Sequence, residues 1–267
     1  MSVFDSGLNP KYLEAIKKFR LIDDTFFNVC FDGSIECMQL LLCILFDRTD
    51  IIVQEVVTQR SAHNLYGRSV RFDVLAVDGD GKIYNVEIQR ADEGASPRRA
   101  RFNTCIIDSR EVAKGTEFKE FPEVWVIFIT ENDTFRARLP IYHVERVITE
   151  LDQPFEDAAH IMYVNGAYRA EDAVGMLMHD FFCDDPDQMH YKELAKRADF
   201  FKHETKGVNA MCKIMQDLQD ESHNSGLDEA RTNTALKMLH DNKPMEEIIR
   251  YSDLPQERIE ALAQQLR

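Results

Sequence analysis

Two carboxylates and an amide, Asp73, Glu87 and Gln89, flank the clearest turn in the chain, Asp78-Gly79-Asp80-Gly81. Alternating stretches on either side, Ser69 to Val77 and Lys82 to Gln89, predict a β-hairpin. With a three-residue loop, Gly79-Asp80-Gly81, and Gly81 left-handed, Asp78 pairs with Lys82 and Asp73 falls opposite Glu87. Their Cβ atoms would then lie roughly 4.5–5.5 Å apart, with Gln89 on the same face. Like charges so placed repel, and the pair calls for a compensating cation. Two carboxylates with a neighbouring carbonyl, that of Ile88, form a sparse oxygen set of the kind Mg²⁺ takes, leaving positions for water and phosphate oxygens. A cation held there would polarise a phosphodiester oxygen and acidify a water, which the Gln89 amide would hold. The same spacing also suits an ordinary hairpin with both carboxylates facing solvent. A loop one residue longer or shorter would put them on opposite faces.

The elements that must position this hairpin follow from local pattern. Pro10 to Phe19 reads as an amphipathic helix, and Ser34 as the N-cap of a helix carrying Ile35, Met38, Leu41, Leu42 and Leu45. Ile51 to Thr58 reads as a strand and Gln59 to Gly67 as a polar loop. Pro97 to Lys114 reads as a helix stopped at Gly115. Val124 to Thr130 is a wholly apolar run, as expected of a strand buried on both faces. Tyr142 to Ile148 and Ile161 to Val164 add candidate strands, and the pattern after Glu171 is helical. Asp217 to Asp228 reads as a linker. Asp228 to Asp241, Pro244 to Tyr251 and Pro255 to Leu266 read as three short helices, with Pro244 and Pro255 at first turns.

The net charge of −15 argues against a nucleic-acid binder, but its distribution matters more. Thr149 to Glu193 holds eleven acids against two bases, whereas Gly94 to Gly115 holds five bases against two acids. Arg98, Arg99 and Arg101 in that basic stretch are candidates for phosphate contact, with Arg90 a weaker one, and the alternative is a solvated helix face. The six cysteines form no C-x-x-C pair and have no histidine at zinc-ligand spacing, which disfavours a structural zinc site and a disulfide framework. The N-terminal stretch lacks the apolar centre of a signal peptide, and Met38 to Phe46 is about half the ~20 residues of a membrane span. A cytoplasmic protein without membrane contact is therefore expected.

Arg71-Phe72-Asp73-Val74 followed by Val86-Glu87-Ile88-Gln89 resembles the D…E-x-Q signature of the PD-(D/E)XK nuclease family transposases, also called Rpn or recombination-promoting nucleases. Most of the wider superfamily has lysine where Gln89 stands. Arg98-Arg99-Ala100-Arg101-Phe102, Lys114-Gly115 and Val124 to Thr130 are similar to that family's basic helix, glycine and following strand. Phe200 to Cys212 and Glu229 to Leu266 are similar to its C-terminal helices. The resemblance implies an α/β, restriction-endonuclease-like αβββαβ core over residues 1–170 and a helical region over 171–267, with its short helices in 227–267. It also implies Mg²⁺- or Mn²⁺-dependent cleavage of DNA, with Asp73, Glu87 and Gln89 catalytic, and a link to recombination or mobile elements. A homodimer is expected on the same ground. Superfamily members often add an acid from the first core helix, for which Glu36 is the candidate; alternatively it interacts with its own helix dipole. Two further readings remain, a catalytically silent relative that binds DNA or a protein, and a nuclease acting on RNA. The C-terminal helices suit packing or self-association better than a DNA-reading unit, because the last helix has no basic face.

Overall fold

The computed structural model describes residues 8–62, 70–90 and 92–265. In chain order the elements are α1 (Pro10–Lys18), α2 (Asp24–Phe31), α3 (Ile35–Leu45), β1 (Val53–Ala62), β2 (Val70–Asp78), β3 (Ile83–Gln89) and α4 (Pro97–Glu111). There follow β4 (Val124–Thr130), β5 (Ile141–Val144), β6 (Val147–Ile148), β7 (Gln153–Pro154), β8 (Ala159–Asn165) and α5 (Ala173–Phe182). The chain ends in α6 (Lys192–His203), α7 (Thr205–His240), α8 (Met245–Ser252) and α9 (Gln256–Gln265). Two compact units result, one formed around Leu13–Val208 and one around Asn209–Arg267. The expected division near residue 170 falls inside the first.

A six-stranded mixed sheet in the order β1-β2-β3-β4-β8-β5 organises the first unit. β1, β2 and β3 are antiparallel neighbours, β3, β4 and β8 run parallel, and β5 returns antiparallel on β8. The order α3-β1-β2-β3-α4-β4 is the αβββαβ arrangement. The hairpin has the expected register: Val77 faces Ile83 and Val74 faces Val86, with Asp78 N–H donating to Lys82 O at 3.1 Å and Gly81 at φ +79°. Asp78, itself buried, braces this turn by accepting from the Asp80 and Lys82 N–H groups and the Tyr84 hydroxyl.

Both faces of the central strands are covered, which is why β4 is apolar from Val124 to Ile129. On one face α4 buries Ala100, Asn103, Thr104 and Ile107, an i, i+3, i+4, i+7 stripe, against Phe72, Leu75, Ile83, Val126 and Phe128. α2 and α3 bury Phe26, Phe27, Phe31, Met38, Leu41 and Leu42. Phe27 and Phe31 meet Phe181 of α5 with ring centroids 6.0 and 6.4 Å apart.

Several expectations are corrected. β1 runs on to Ala62 where a loop was expected from Gln59, because its residues pair with β2 as far as Val70; residues 63–67 of that expected loop lie outside the described residues. The stretch 142–148 divides between β5, which joins the main sheet, and β6, which pairs with β7. The expected linker 217–228 is the interior of α7, a 36-residue helix, so the first of the three short helices is only that helix's end. Ser222, His223, Asn224 and Ser225 are exposed there, and residues of this type cost only a few tenths of a kcal/mol each in a helix. In the second unit, Ala235 of α7 packs with Ile248, Leu254 and Ile259. No single helix among the described residues is long and apolar enough to cross a membrane; α2 and α3, bent by 111°, pass that test only as a pair and are largely core.

Candidate active site

Strand β3 alternates apolar and polar side chains, yet all its residues but Gln89 are buried. Ile83, Asn85, Glu87 and Gln89 point to the α4 face, and Asp73 joins them from β2. The β2–β3 ladder makes its last backbone pair at Val74 and Val86. Beyond it the Asp73 side chain takes over: Oδ2 accepts from the Ile88 N–H at 2.9 Å, while Asp73 N–H reaches Glu87 Oε1 at 3.4 Å. A strand residue turns its N–H and C=O toward the same neighbour, so the Ile88 carbonyl also lies on the Asp73 side. Two carboxylates thus meet where the strands part, beside the Ile88 backbone.

Glu87 is fully buried and fixed on both oxygens. Asn85 Nδ2 donates to Oε1 at 2.9 Å, and Arg99 Nη2 donates to Oε2 at 2.5 Å. Asn85 Oδ1 in turn accepts from Asn103 Nδ2 at 2.9 Å, and both asparagines are buried. Arg99 also donates through Nη1 to Gln89 Oε1 at 3.3 Å and to Gly94 O at 3.4 Å. Gly94 is needed for this approach, since a Cβ there would overlap the Gln89 amide. Ser96 starts α4 by accepting from the Arg99 N–H at 3.3 Å, with Pro97 in the first turn. That start sets Arg99 on the border of the buried stripe and leaves Arg98 and Arg101 exposed on the outer side.

The electrostatics follow from this placement. Burial and the facing Glu87 push the Asp73 carboxyl up to about 8; Asp24 adds to the rise, while the Ile88 N–H and Arg99 oppose it. Burial also raises Glu87, against Arg99, Asn85 and the Asp73 N–H. With the guanidinium bonded directly to it, Glu87 is the member that carries the charge and Asp73 the member that takes a proton.

Of the residues singled out in the sequence, Asp73 and Glu87 come together, Asp73 is bonded to the Ile88 N–H, and Arg99 turns inward to link Glu87 with Gln89. Arg98 and Arg101 make no ion pair among the described residues, whereas Arg90 is bound to Asp23 and Glu131, both at 3.0 Å. Glu36 is exposed and lines a cavity with Glu193, Lys196 and Arg197. The acid whose charge reaches Asp73 is instead Asp24, in the first turn of α2, held by Asn28 Nδ2 at 2.7 Å. Asp24, Asn85 and Asn103 went unread in the sequence, although the polar face Asn85-Glu87-Gln89 within an apolar strand was a visible signal.

A mixed sheet in αβββαβ order, with paired carboxylates where its central hairpin parts, defines a restriction-endonuclease-like core. Residues 36–167 match the model of the PD-(D/E)XK nuclease family transposase, so this segment is similar to that family. No curated protein and no solved structure matches the chain. The family carries a nuclease-like or transposase-related role, and its nucleases generally use divalent metals.

Proposed function

We propose that the chain is a divalent-metal-dependent DNA endonuclease of the recombination-promoting (Rpn) type, hydrolysing phosphodiester bonds with Asp73, Glu87 and Gln89. The observation that carries this reading is the pair of apposed carboxylates, one fully buried: burial, and after it the facing Glu87, raises Asp73, and a divalent cation would favour its charged form. The donor set fits Mg²⁺ or Mn²⁺: Asp73, Glu87 and the Ile88 carbonyl are hard oxygens and too few to fill an octahedron. When bound, such an ion supplies Lewis-acid polarisation of the scissile phosphate and a more acidic water. Asn85 and Arg99 hold the Glu87 carboxylate in one orientation. Because Arg99 occupies Gln89 Oε1, the Gln89 amide nitrogen is left to donate to a water or phosphate oxygen. Arg98 and Arg101 supply the phosphate-backbone contacts from the exposed side of α4.

The Arg99–Glu87 ion pair favours a second reading, in which the guanidinium permanently replaces the cation and the protein binds DNA without cutting it. Cleavage of supercoiled plasmid with Mg²⁺ or Mn²⁺ against EDTA separates the two. Nicking that needs metal and disappears in folded Glu87→Ala supports the nuclease. Glu87→Ala cutting as well as the parent overturns the site, and DNA binding without cleavage in either metal selects the second reading.

A further inference from the structure

Asp180, in the last turn of α5, is fully buried. The backbone N–H groups of His190 and Tyr191 donate to its Oδ1 and Oδ2, each at 2.8 Å. These bonds fix the connection between α5 and α6, yet they do not require the two imidazoles that converge on the same carboxylate. His179 Nδ1 lies 3.1 Å from Asp180 Oδ1, and the His190 ring meets the His179 ring edge to face, 4.6 Å between centroids. One donor atom from each of His179, Asp180 and His190 lies within 4.8 Å of the others.

We propose that His179, Asp180 and His190 form a binding site for a transition-metal ion of the zinc class, separate from the hairpin carboxylates. Tetrahedral zinc with bonds of about 2.0–2.2 Å holds its ligand atoms roughly 3.3–3.6 Å apart, so small ring rotations complete the set. Two imidazoles and a carboxylate are borderline donors that select Zn²⁺, Co²⁺ or Ni²⁺, unlike the all-oxygen hairpin set. Each Asp180 oxygen keeps a lone pair after accepting its backbone N–H, and those bonds orient the carboxylate before any ion arrives. His190 is exposed and His179 partly so, which gives the ion an entry path and leaves a position for water. Bound there, the ion ties the end of α5 to the loop that leads into α6.

The test is Co²⁺ titration of the metal-stripped full chain at neutral pH, followed by visible absorption and Zn²⁺ competition, in the parent, Glu87→Ala, His179→Ala and His190→Ala. The expected result is one four-coordinate Co²⁺, displaced by Zn²⁺, present in the parent and in Glu87→Ala. Each histidine variant, with unchanged circular dichroism, should weaken it by at least about tenfold. Histidine variants that bind as tightly as the parent, loss of the signal in Glu87→Ala, or no signal and no Zn²⁺-dependent rise in melting temperature at about 100 μM metal would each overturn the proposal.

Discussion

Replacing Asp73 with asparagine removes one member of the apposed carboxylate pair and keeps the shape, because the amide oxygen still accepts the Ile88 N–H. In the folded protein the Asp73 carboxyl is pushed up to about 8, against 3.8 for an ordinary aspartate. Below pH about 4 the group is protonated in both folded and unfolded chains and costs nothing. As pH rises from about 4 to about 8 the unfolded chain loses this proton first, so metal-free stability falls through that window. One pKa unit corresponds to about 1.4 kcal/mol; with the solvent-facing part of the carboxyl discounted, we expect a loss of about 3 kcal/mol by pH 8. Asp73→Asn escapes that loss. In EDTA it should melt about 6–12 °C above the parent at pH 8, with the gap shrinking toward pH 5. The same variant should show no Mg²⁺-dependent cleavage and no Mg²⁺-dependent rise in melting temperature. Equal or lower stability than the parent at pH 8, or a gap that widens toward low pH, would refute the argument that burial and the facing Glu87 penalise the Asp73 charge.

Arg98→Ala with Arg101→Ala should weaken DNA binding across sequences and lower the salt slope by about 2, one unit per lost phosphate contact, while melting stays unchanged; binding titrations over a range of salt check this. Gly94→Ala should cut cleavage strongly yet leave melting nearly intact, because the added methyl displaces the far end of a flexible Gln89 side chain and not backbone. Asn85→Ala leaves the Asn103 Nδ2 without its partner and strips Glu87 Oε1 of its shorter hydrogen bond, and should cost about 2–3 kcal/mol in denaturant unfolding together with most of the cleavage.

The hairpin was legible because it is a local object: Gly81 sets the loop, the loop sets the register, and the register decides which side chains share a face. β4 was legible for a similar reason, an unbroken apolar run, and α4 from its helical pattern after Pro97. α2 was not, since Phe26, Phe27, Asn28, Cys30 and Phe31 are all buried and the helix has no polar face to give it a period. α7 misled through its exposed Ser and Asn residues, which read as a linker although each costs only a few tenths of a kcal/mol in a helix. The same limit hid the site's support. The stripe that α4 buries contains Asn103 and Thr104, so hydrophobic periodicity could not locate it, and without it the direction of Arg99 could not be known.

That direction bears on the departure at Gln89. With lysine at this position, as in most of the superfamily, a strand side chain brings positive charge beside the glutamate. Here the strand offers a neutral amide, and the charge arrives from the helix as Arg99, bonded at once to Glu87 and to Gln89. A guanidinium remains protonated at any working pH and presents several donors in a fixed fork, so one side chain can neutralise the carboxylate and orient the amide together. The Ser96 cap and the Gly94 approach are what this requires: the cap fixes where α4 begins, and the missing Cβ lets Gln89 lie beneath the arginine. Gln89 is therefore one half of a contact with Arg99, which turns inward to the carboxylate while Arg98 and Arg101 face outward to solvent.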